Sequence, residues 1–430
     1  MSGERDTIFG ISSGAPPAAI GIVRVSGPEA GTALHMLAGR KVEPRRATYS
    51  ALRSANGALL DRALVLWFPG PASATGEDLA ELHCHGGRAV LAAIMAALDT
   101  VKGLRPAREG EFTRRAFANG RIDLAEAEGL ADLLSAETES QRAAAMAQAA
   151  GAFSRQIEDW RGEVLLLSAT VEAALDFSDE DDVETPPAAF RKDIGALVAE
   201  IATWLERPRA ERLKEGFRVV LAGPPNSGKS TLFNALVESE AAIISPIAGT
   251  TRDAIERSVA LGGVAFTFID TAGLRERDET SEAIEAIGIE RARDQMTRAD
   301  LVLWLGQEGE GPATAWEIAA RADAEDFTNK DVARHRISAA TGEGMAALIA
   351  DLVETARIVL PKPGEAALNS RQAARLSEVH TALEAAGVEQ DWLLIGENLR
   401  QARAAFDRLI GRTTTEDMLD ALFGRFCIGK

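Results

Sequence analysis

Gly223-Pro-Pro-Asn-Ser-Gly-Lys-Ser230 decides how this chain is read. The eight residues fit G-x-x-x-x-G-K-[ST], the phosphate-gripping P-loop pattern. An apolar run, Phe217 to Ala222, precedes them and predicts a strand, and Thr231 to Val237 follows with helical spacing. Strand, loop and helix in that order are the context the motif requires. The chemistry is anion capture: glycines let the backbone curl so that several N–H groups point inward, and a helix N-terminus adds the positive end of its dipole. Asn226, Ser227, Gly228, Lys229, Ser230 and Thr231 are therefore expected around a nucleotide's phosphates. Lys229 is expected to reach the β- and γ-phosphates, and the Ser230 hydroxyl to ligate Mg²⁺. A Gly/Pro-rich surface turn is the bland alternative, and the flanking elements weigh against it.

Further along, the motifs come in the order of a GTPase. In Gly249-Thr-Thr-Arg-Asp253, Thr251 is placed to complete the Mg²⁺ shell and sense the γ-phosphate. A predicted strand, Val264 to Ile269, leads into Asp270-Thr271-Ala272-Gly273. An aspartate at a strand's C-terminal end suits Mg²⁺ held through water, and the Gly273 N–H suits the γ-phosphate. Leu274 stands where Ras-like enzymes keep a water-orienting glutamine, so another group must position the water. Two stretches compete to read guanine. Asn329-Lys330-Asp331 has two letters of N-K-x-D, but its aspartate comes one position early and its approach is a poor strand. Ala320-Arg321-Ala322-Asp323 follows the strand-like Trp316 to Ala319, and that context favours Asp323. Ser338-Ala339-Ala340 fits the loop that touches the base.

Composition sets the frame. The 430 residues suffice for about three domains. No apolar run reaches the ~18 residues of a membrane span, and the N-terminal residues lack a signal-peptide core, so a cytoplasmic setting is expected. Two cysteines, Cys84 and Cys427, make no disulfide framework. A net charge of −18 argues against a generic nucleic-acid binder. Residues 1–125 nevertheless carry 15 basic and 12 acidic side chains, against 32 and 53 in the remainder. Any polyanion is thus expected at the N-terminal part, where Arg105, Arg108, Arg114, Arg115 and Arg121 cluster.

Residues 1–118 mix short strand-like runs with helices, an α+β pattern. Residues 119–214 and 365–430 read as helical, and 215–364 alternate strands and helices as a parallel sheet with crossovers does. The economical arrangement is a discontinuous helical domain with an α/β GTPase domain inserted in it. His83, Cys84 and His85 alternate across a predicted strand, so joint metal binding is not expected.

Taken together, these motifs resemble the MnmE (TrmE) family of tRNA wobble-uridine modification GTPases. The likeness is carried by Gly21-Ile-Val-Arg-Val-Ser-Gly27, Thr75-Gly-Glu-Asp-Leu-Ala-Glu81 with His85-Gly-Gly87, Gly110-Glu-Phe-Thr-Arg-Arg-Ala-Phe117, Asn119-Gly-Arg-Ile-Asp-Leu-Ala-Glu-Ala-Glu128 and Cys427-Ile-Gly-Lys430. It implies an N-terminal tetrahydrofolate-binding and dimerisation domain, a discontinuous helical domain and an inserted Ras-like P-loop GTPase domain. It also implies a flavoprotein partner, MnmG (GidA), which carries FAD, in a heterotetramer that acts on tRNA. By motif, Arg24, Glu81, Arg121 and Lys430 fall on folate positions, with arginine at 121 where the family often has lysine. Asn226, Ser245, Ile247 and Thr250 fall on a K⁺ site, and Glu285 on the switch glutamate that orients water. Cys427 is the candidate thiol near the transferred carbon. A ribosome-assembly GTPase is the alternative reading.

Overall fold

The computed structural model describes residues 6–176, 186–239, 242–244, 256–270, 293–325, 327, 329–362, 364–413, 416–424, 426 and 429. Its contacts divide the chain into two compact units, Met1–Ala131 with Asp407–Lys430, and Asp132–Phe406.

The first unit is built on a six-stranded sheet of β1 (Thr7–Ile11), β2 (Ile20–Ser26), β3 (Thr48–Arg53), β4 (Leu59–Phe68), β5 (Leu79–His85) and β6 (Leu104–Pro106). The order is β3-β4-β5-β2-β1-β6, antiparallel except for the β1–β6 edge. Strand periodicity sorts the two faces. On one, Val23, Val25, Val65, Leu82 and Cys84 are buried with Leu34 and Leu37 of helix Ala30–Ala38 and Leu91, Ile94 and Leu98 of helix Arg88–Asp99. On the other stand Arg24, Glu81 and His83, and the row Tyr49, Leu64, His83, Ile22 crosses four strands in register. A smaller core of Leu124, Leu419, Leu422, Phe423 and Phe426 joins the C-terminal helix Glu416–Phe423 to helix Leu124–Leu134.

The second unit contains a seven-stranded sheet of β7 (Phe217–Ala222), β8 (Ala242–Ile244), β9 (Glu256–Leu261), β10 (Val264–Asp270), β11 (Leu301–Trp304), β12 (Trp316–Ala319) and β13 (His335–Arg336), in the order β13-β12-β11-β7-β10-β9-β8. The β8–β9 and β9–β10 pairs are antiparallel and the other pairs parallel. β7 lies centrally, parallel to both β10 and β11, and its apolar run is buried on both faces, as a strand covered by helices must be.

Helices before and after this sheet pack on one another. Helix Ala188–Glu206 lies along helix Ser370–Val388, where Arg191 donates to the Gly387 and Glu389 carbonyls at 2.6 and 2.9 Å. Trp160 of helix Ala152–Asp176 lies 5.6 Å from Trp204 and 6.2 Å from Phe406, ring centre to ring centre. The fold is thus an N-terminal α+β domain, a discontinuous helical domain and an inserted P-loop α/β domain. Helix Glu139–Ala149 ties the helical part to the sheet: Ser140 donates to the Gly263 carbonyl in the β9–β10 turn, and Gln141 to the Leu213 carbonyl. Among the described residues no helix is long and apolar enough to cross a membrane.

Candidate functional site

The phosphate loop begins where β7 ends. Asn226 adopts φ 60° and Gly228 φ 93°, both in the left-handed region, and Gly228 caps helix Lys229–Val237. Backbone conformation favours glycine at 228, and the space beside it is tight. A side chain there would strain the backbone, and its Cβ would stand 3.3 Å from Cγ of Arg321. The helix starts two residues before the expected Thr231, so Lys229 and Ser230 fall in its first turn. The Lys229 side chain is buried and donates to the Pro224 carbonyl at 2.7 Å, across the loop. Ser227 Oγ is buried in the same loop without a hydrogen-bond partner. A buried orphan polar atom just before a helix N-terminus suits a phosphate oxygen.

Asp270 closes β10, whose register with β7 sets it opposite Leu221. The Ser230 hydroxyl donates to its Oδ2 at 2.7 Å. A hydroxyl and a carboxylate in contact at the mouth of a phosphate loop are the oxygen donors that Mg²⁺ takes. These residues fit the ion.

The candidate base-reading residues follow β12 and β13. Arg321 stands two residues beyond β12 with φ 61°; its stem lies against Gly228, and its Nη1 lies 3.5 Å from the Asn226 carbonyl. The Ser338 hydroxyl and the Arg321 charge hold the exposed Asp323 carboxyl below the usual range. Ser338 is itself fully buried, its hydroxyl accepting from the Thr341 N–H at 3.1 Å. Ala339 and Ala340 follow it in the loop. The rival stretch is engaged elsewhere: Lys330 donates to Glu317 of β12 at 2.6 Å and to the Trp304 carbonyl at 3.0 Å. Ser245, Ile247, Thr250, Thr251, Thr271, Ala272, Gly273, Leu274 and Glu285 lie outside the described residues.

In the first unit, Arg24 of β2 donates twice to Glu81 of β5, at 3.1 and 2.8 Å. Burial raises the Glu81 pKa, but bonds from Arg24 and His83 outweigh it and hold the carboxyl below its ordinary value. Arg24 also reaches the Gly429 carbonyl at 3.4 Å, which accepts from the Ser12 hydroxyl at 2.5 Å. The C-terminal stretch therefore comes to the Arg24–Glu81 pair, although Cys427 and Lys430 themselves lie outside the described residues. Arg121 is exposed on the turn after helix Glu111–Ala118, against the Thr75–Gly76 loop.

Much of the cationic cluster expected to meet a polyanion is paired within the first unit. Arg105 pairs with Asp6 and Glu111, Arg115 with Asp6, Glu77 and Glu111, and Arg114 with Glu416 and Asp420. Three of the five cations are neutralised by acids close in space and mostly distant in sequence. Ser12 and this paired network were not singled out beforehand; only the Glu111–Arg115 spacing of four on one helix could have signalled any of it. Along β5, His83 meets Glu81 and His85 meets Asp61, while Cys84 points to the core. Burial and the Asp61 charge push the Cys84 thiol up to about 12.

Sequence comparison finds relatives of the whole chain. The family described as MnmE helical domain matches residues 124–427, and GTP-binding protein TrmE N-terminus matches residues 7–121. The chain is 62% identical over 425 residues to the tRNA modification GTPase MnmE of Erythrobacter litoralis, covering 99% of this chain and 100% of that protein. It is 63% identical over 437 residues to that of Novosphingobium aromaticivorans, with the same coverage of 99% and 100%. Among solved structures it is similar to the G domain of the T. maritima FeoB iron transporter, 25% identical over 32% of this chain and 98% of that one, with a TM-score of 0.23.

Proposed function

This chain belongs to the MnmE family of tRNA modification GTPases, and from that premise we propose that it is the GTP-hydrolysing part of a complex that adds a carboxymethylaminomethyl or aminomethyl group to C5 of the wobble uridine of certain tRNAs. The observation that carries the reading is identity of 62% along essentially the full length of the E. litoralis relative, joined to a phosphate loop whose Ser230 and Asp270 are in contact.

The chain's own residues divide the work. Backbone N–H groups of Asn226 to Thr231 and the Lys229 ammonium bind the phosphates, and Asp323, Ser338, Ala339 and Ala340 orient the base. Thr250, Thr251 and Asp270 to Gly273 surround the γ-phosphate, and Glu285 orients the attacking water, the task Leu274 cannot perform. Mg²⁺, held by Ser230 and Thr251 with Asp270 behind them, would supply charge neutralisation on the β- and γ-phosphates. Asn226, Ser245, Ile247 and Thr250 would hold K⁺, a fixed cation serving where other GTPases use an arginine finger.

The remaining parts follow the same premise. Residues 1–118 form the tetrahydrofolate-binding and dimerisation domain, 119–214 with 365–430 the helical domain, and 215–364 the GTPase domain. Arg24, Glu81, Arg121 and Lys430 bind the folate, and Cys427 lies near its one-carbon unit. The exposed side chains Tyr49 and Leu64, paired across β3 and β4, support an apolar self-association face. The chain works in the cytoplasm as a homodimer, with the FAD-bearing MnmG (GidA) flavoprotein as partner.

Mass spectrometry of tRNA nucleosides tests this. Cells lacking the chain should lose the modified wobble uridines; the intact chain should restore them, and Lys229→Ala should not. An unchanged nucleoside profile in the deletion would overturn the proposal.

A further inference from the structure

The Glu81 carboxylate is held at both of its oxygens, and the second grip comes from a residue with no role so far. β2 and β5 pair so that Arg24 stands opposite Glu81 and Ile22 opposite His83, which puts all four side chains on one face of the sheet. Nε and Nη2 of Arg24 both donate to Oε1 of Glu81. His83 Nε2 lies 3.1 Å from the other oxygen, Oε2. An ionised carboxylate only accepts, so the imidazole is the donor and carries its proton on Nε2.

This second bond matters because of how a glutamate moves. Its terminal torsion is broad and roughly two-fold, so a carboxylate gripped at one oxygen can still turn about its last bond. Arg24 alone, bonding only Oε1, leaves that freedom. With His83 on Oε2 the plane of the carboxylate is set. The groups acting on Glu81 are Arg24 from β2 and His83 from β5, while β4 presents Leu66 opposite it. A carboxylate fixed in its plane suits a ligand edge of N–H donors, such as the aminopyrimidinone edge of a reduced pterin.

We propose that His83 is a positioning residue for folate recognition: its Nε2–H sets the plane of the Glu81 carboxylate, and the affinity for tetrahydrofolate depends on that setting. This rests on the reading of Arg24 and Glu81 as folate contacts. His83 is partly exposed, and its neighbour on the same face, His85, bonds Asp61 instead, which makes His85 a matched control on one strand.

Calorimetric titration of the full chain with tetrahydrofolate, kept reduced under nitrogen, tests the idea. His83→Ala should bind about tenfold more weakly, the effect of losing a hydrogen bond to a charged group. His83→Gln, whose amide can still donate, should stay within about threefold of the parent chain. His85→Ala should bind as the parent does. In a Glu81→Gln background, His83→Ala should add little further loss, since it acts through the carboxylate. The inference falls if His83→Ala binds as tightly as the parent chain, if a folded His83→Gln is as weak as His83→Ala, or if the losses add fully in the double variant. A parent chain that binds no tetrahydrofolate would remove the folate reading, and this inference with it.

Discussion

At Asp323 the proposed base reading narrows to few groups. Alanine at 320 brings no amide to the base, and Arg321 is turned onto the phosphate loop, its stem against Gly228. On the proposed reading the Asp323 carboxyl, held below its usual range by the Ser338 hydroxyl and the Arg321 charge, is the group that discriminates guanine. Guanine offers two N–H donors to such a carboxylate. Xanthine has a carbonyl in place of the amino group and meets the carboxylate oxygen with an acceptor. Asp323→Asn should therefore weaken GTP binding about a hundredfold and raise the preference for XTP, because a site built for hydrogen bonds rejects the wrong partner strongly. Competition binding of the two nucleotides checks it, and an unchanged preference would assign the base to other residues. The strand context that favours Asp323 over Asp331 was available from sequence: β12 ends at Ala319, as the apolar run indicated. The long-range pairing of Arg114 and Arg115 was not available. Their acids at Glu416, Asp420 and Asp6 stand 302, 306 and 109 residues away, and no spacing reports a contact of that range.

Elements were legible where one period rules and obscure where they are short. β7 has the bounds its apolar run predicted, and β10 runs Val264–Asp270 against an expected Val264 to Ile269. β13 is two residues long, which is below any periodic signal. The tail around Gly429 is a second obscure element, since it belongs to no repeat. Its conformation is nevertheless specified: Gly429 has φ 100°, and a Cβ there would fall 2.0 Å from the Ile11 carbonyl oxygen. Gly429→Ala must expel the tail from the end of β1, since left-handed backbone costs an L residue about 1–2 kcal/mol before any clash is counted. Expected is a loss of wobble-uridine modification of about tenfold or more, with GTP turnover within about twofold of the parent chain, because the phosphate loop is untouched. Parallel assays of the two activities decide it; a fall in both together would sink the assignment of the tail to the one-carbon site. The buried strand β5 gives a chemical counterpart. With its thiol pushed up to about 12 and its side chain in the core, Cys84 carries almost no thiolate near neutral pH, and the thiolate is the reactive form. Iodoacetamide at pH 8 should leave Cys84 unlabelled in the native chain and label it after denaturation, as peptide mass mapping would show.

For the whole molecule the question is what the proposed self-association through the N-terminal sheet would do for a GTPase. The row Tyr49, Leu64, His83, Ile22 crosses four strands of the N-terminal sheet, and Tyr49 and Leu64 are 62% and 40% exposed. A charge placed in the centre of an apolar interface leaves an unpaired ion there and breaks it. Leu64→Glu should therefore halve the mass in solution, from twice 45.7 kDa to the single chain. The functional consequence follows from effective concentration. If the N-terminal domains hold two chains together, their GTPase domains meet as an intramolecular event at roughly millimolar effective concentration, provided the geometry lets them reach. K⁺-stimulated turnover per chain should then be independent of dilution in the parent protein and stay well above the rate in Na⁺. In Leu64→Glu the same stimulation should survive only at high protein concentration and fade on dilution, with the Na⁺ rate unchanged. Light scattering and turnover measured across a hundredfold dilution series in each salt separate the outcomes. Equal rates in K⁺ and Na⁺ would remove the monovalent-ion mechanism. A monomeric Leu64→Glu that keeps full stimulation when dilute would show that the N-terminal sheet plays no part in bringing the catalytic halves together.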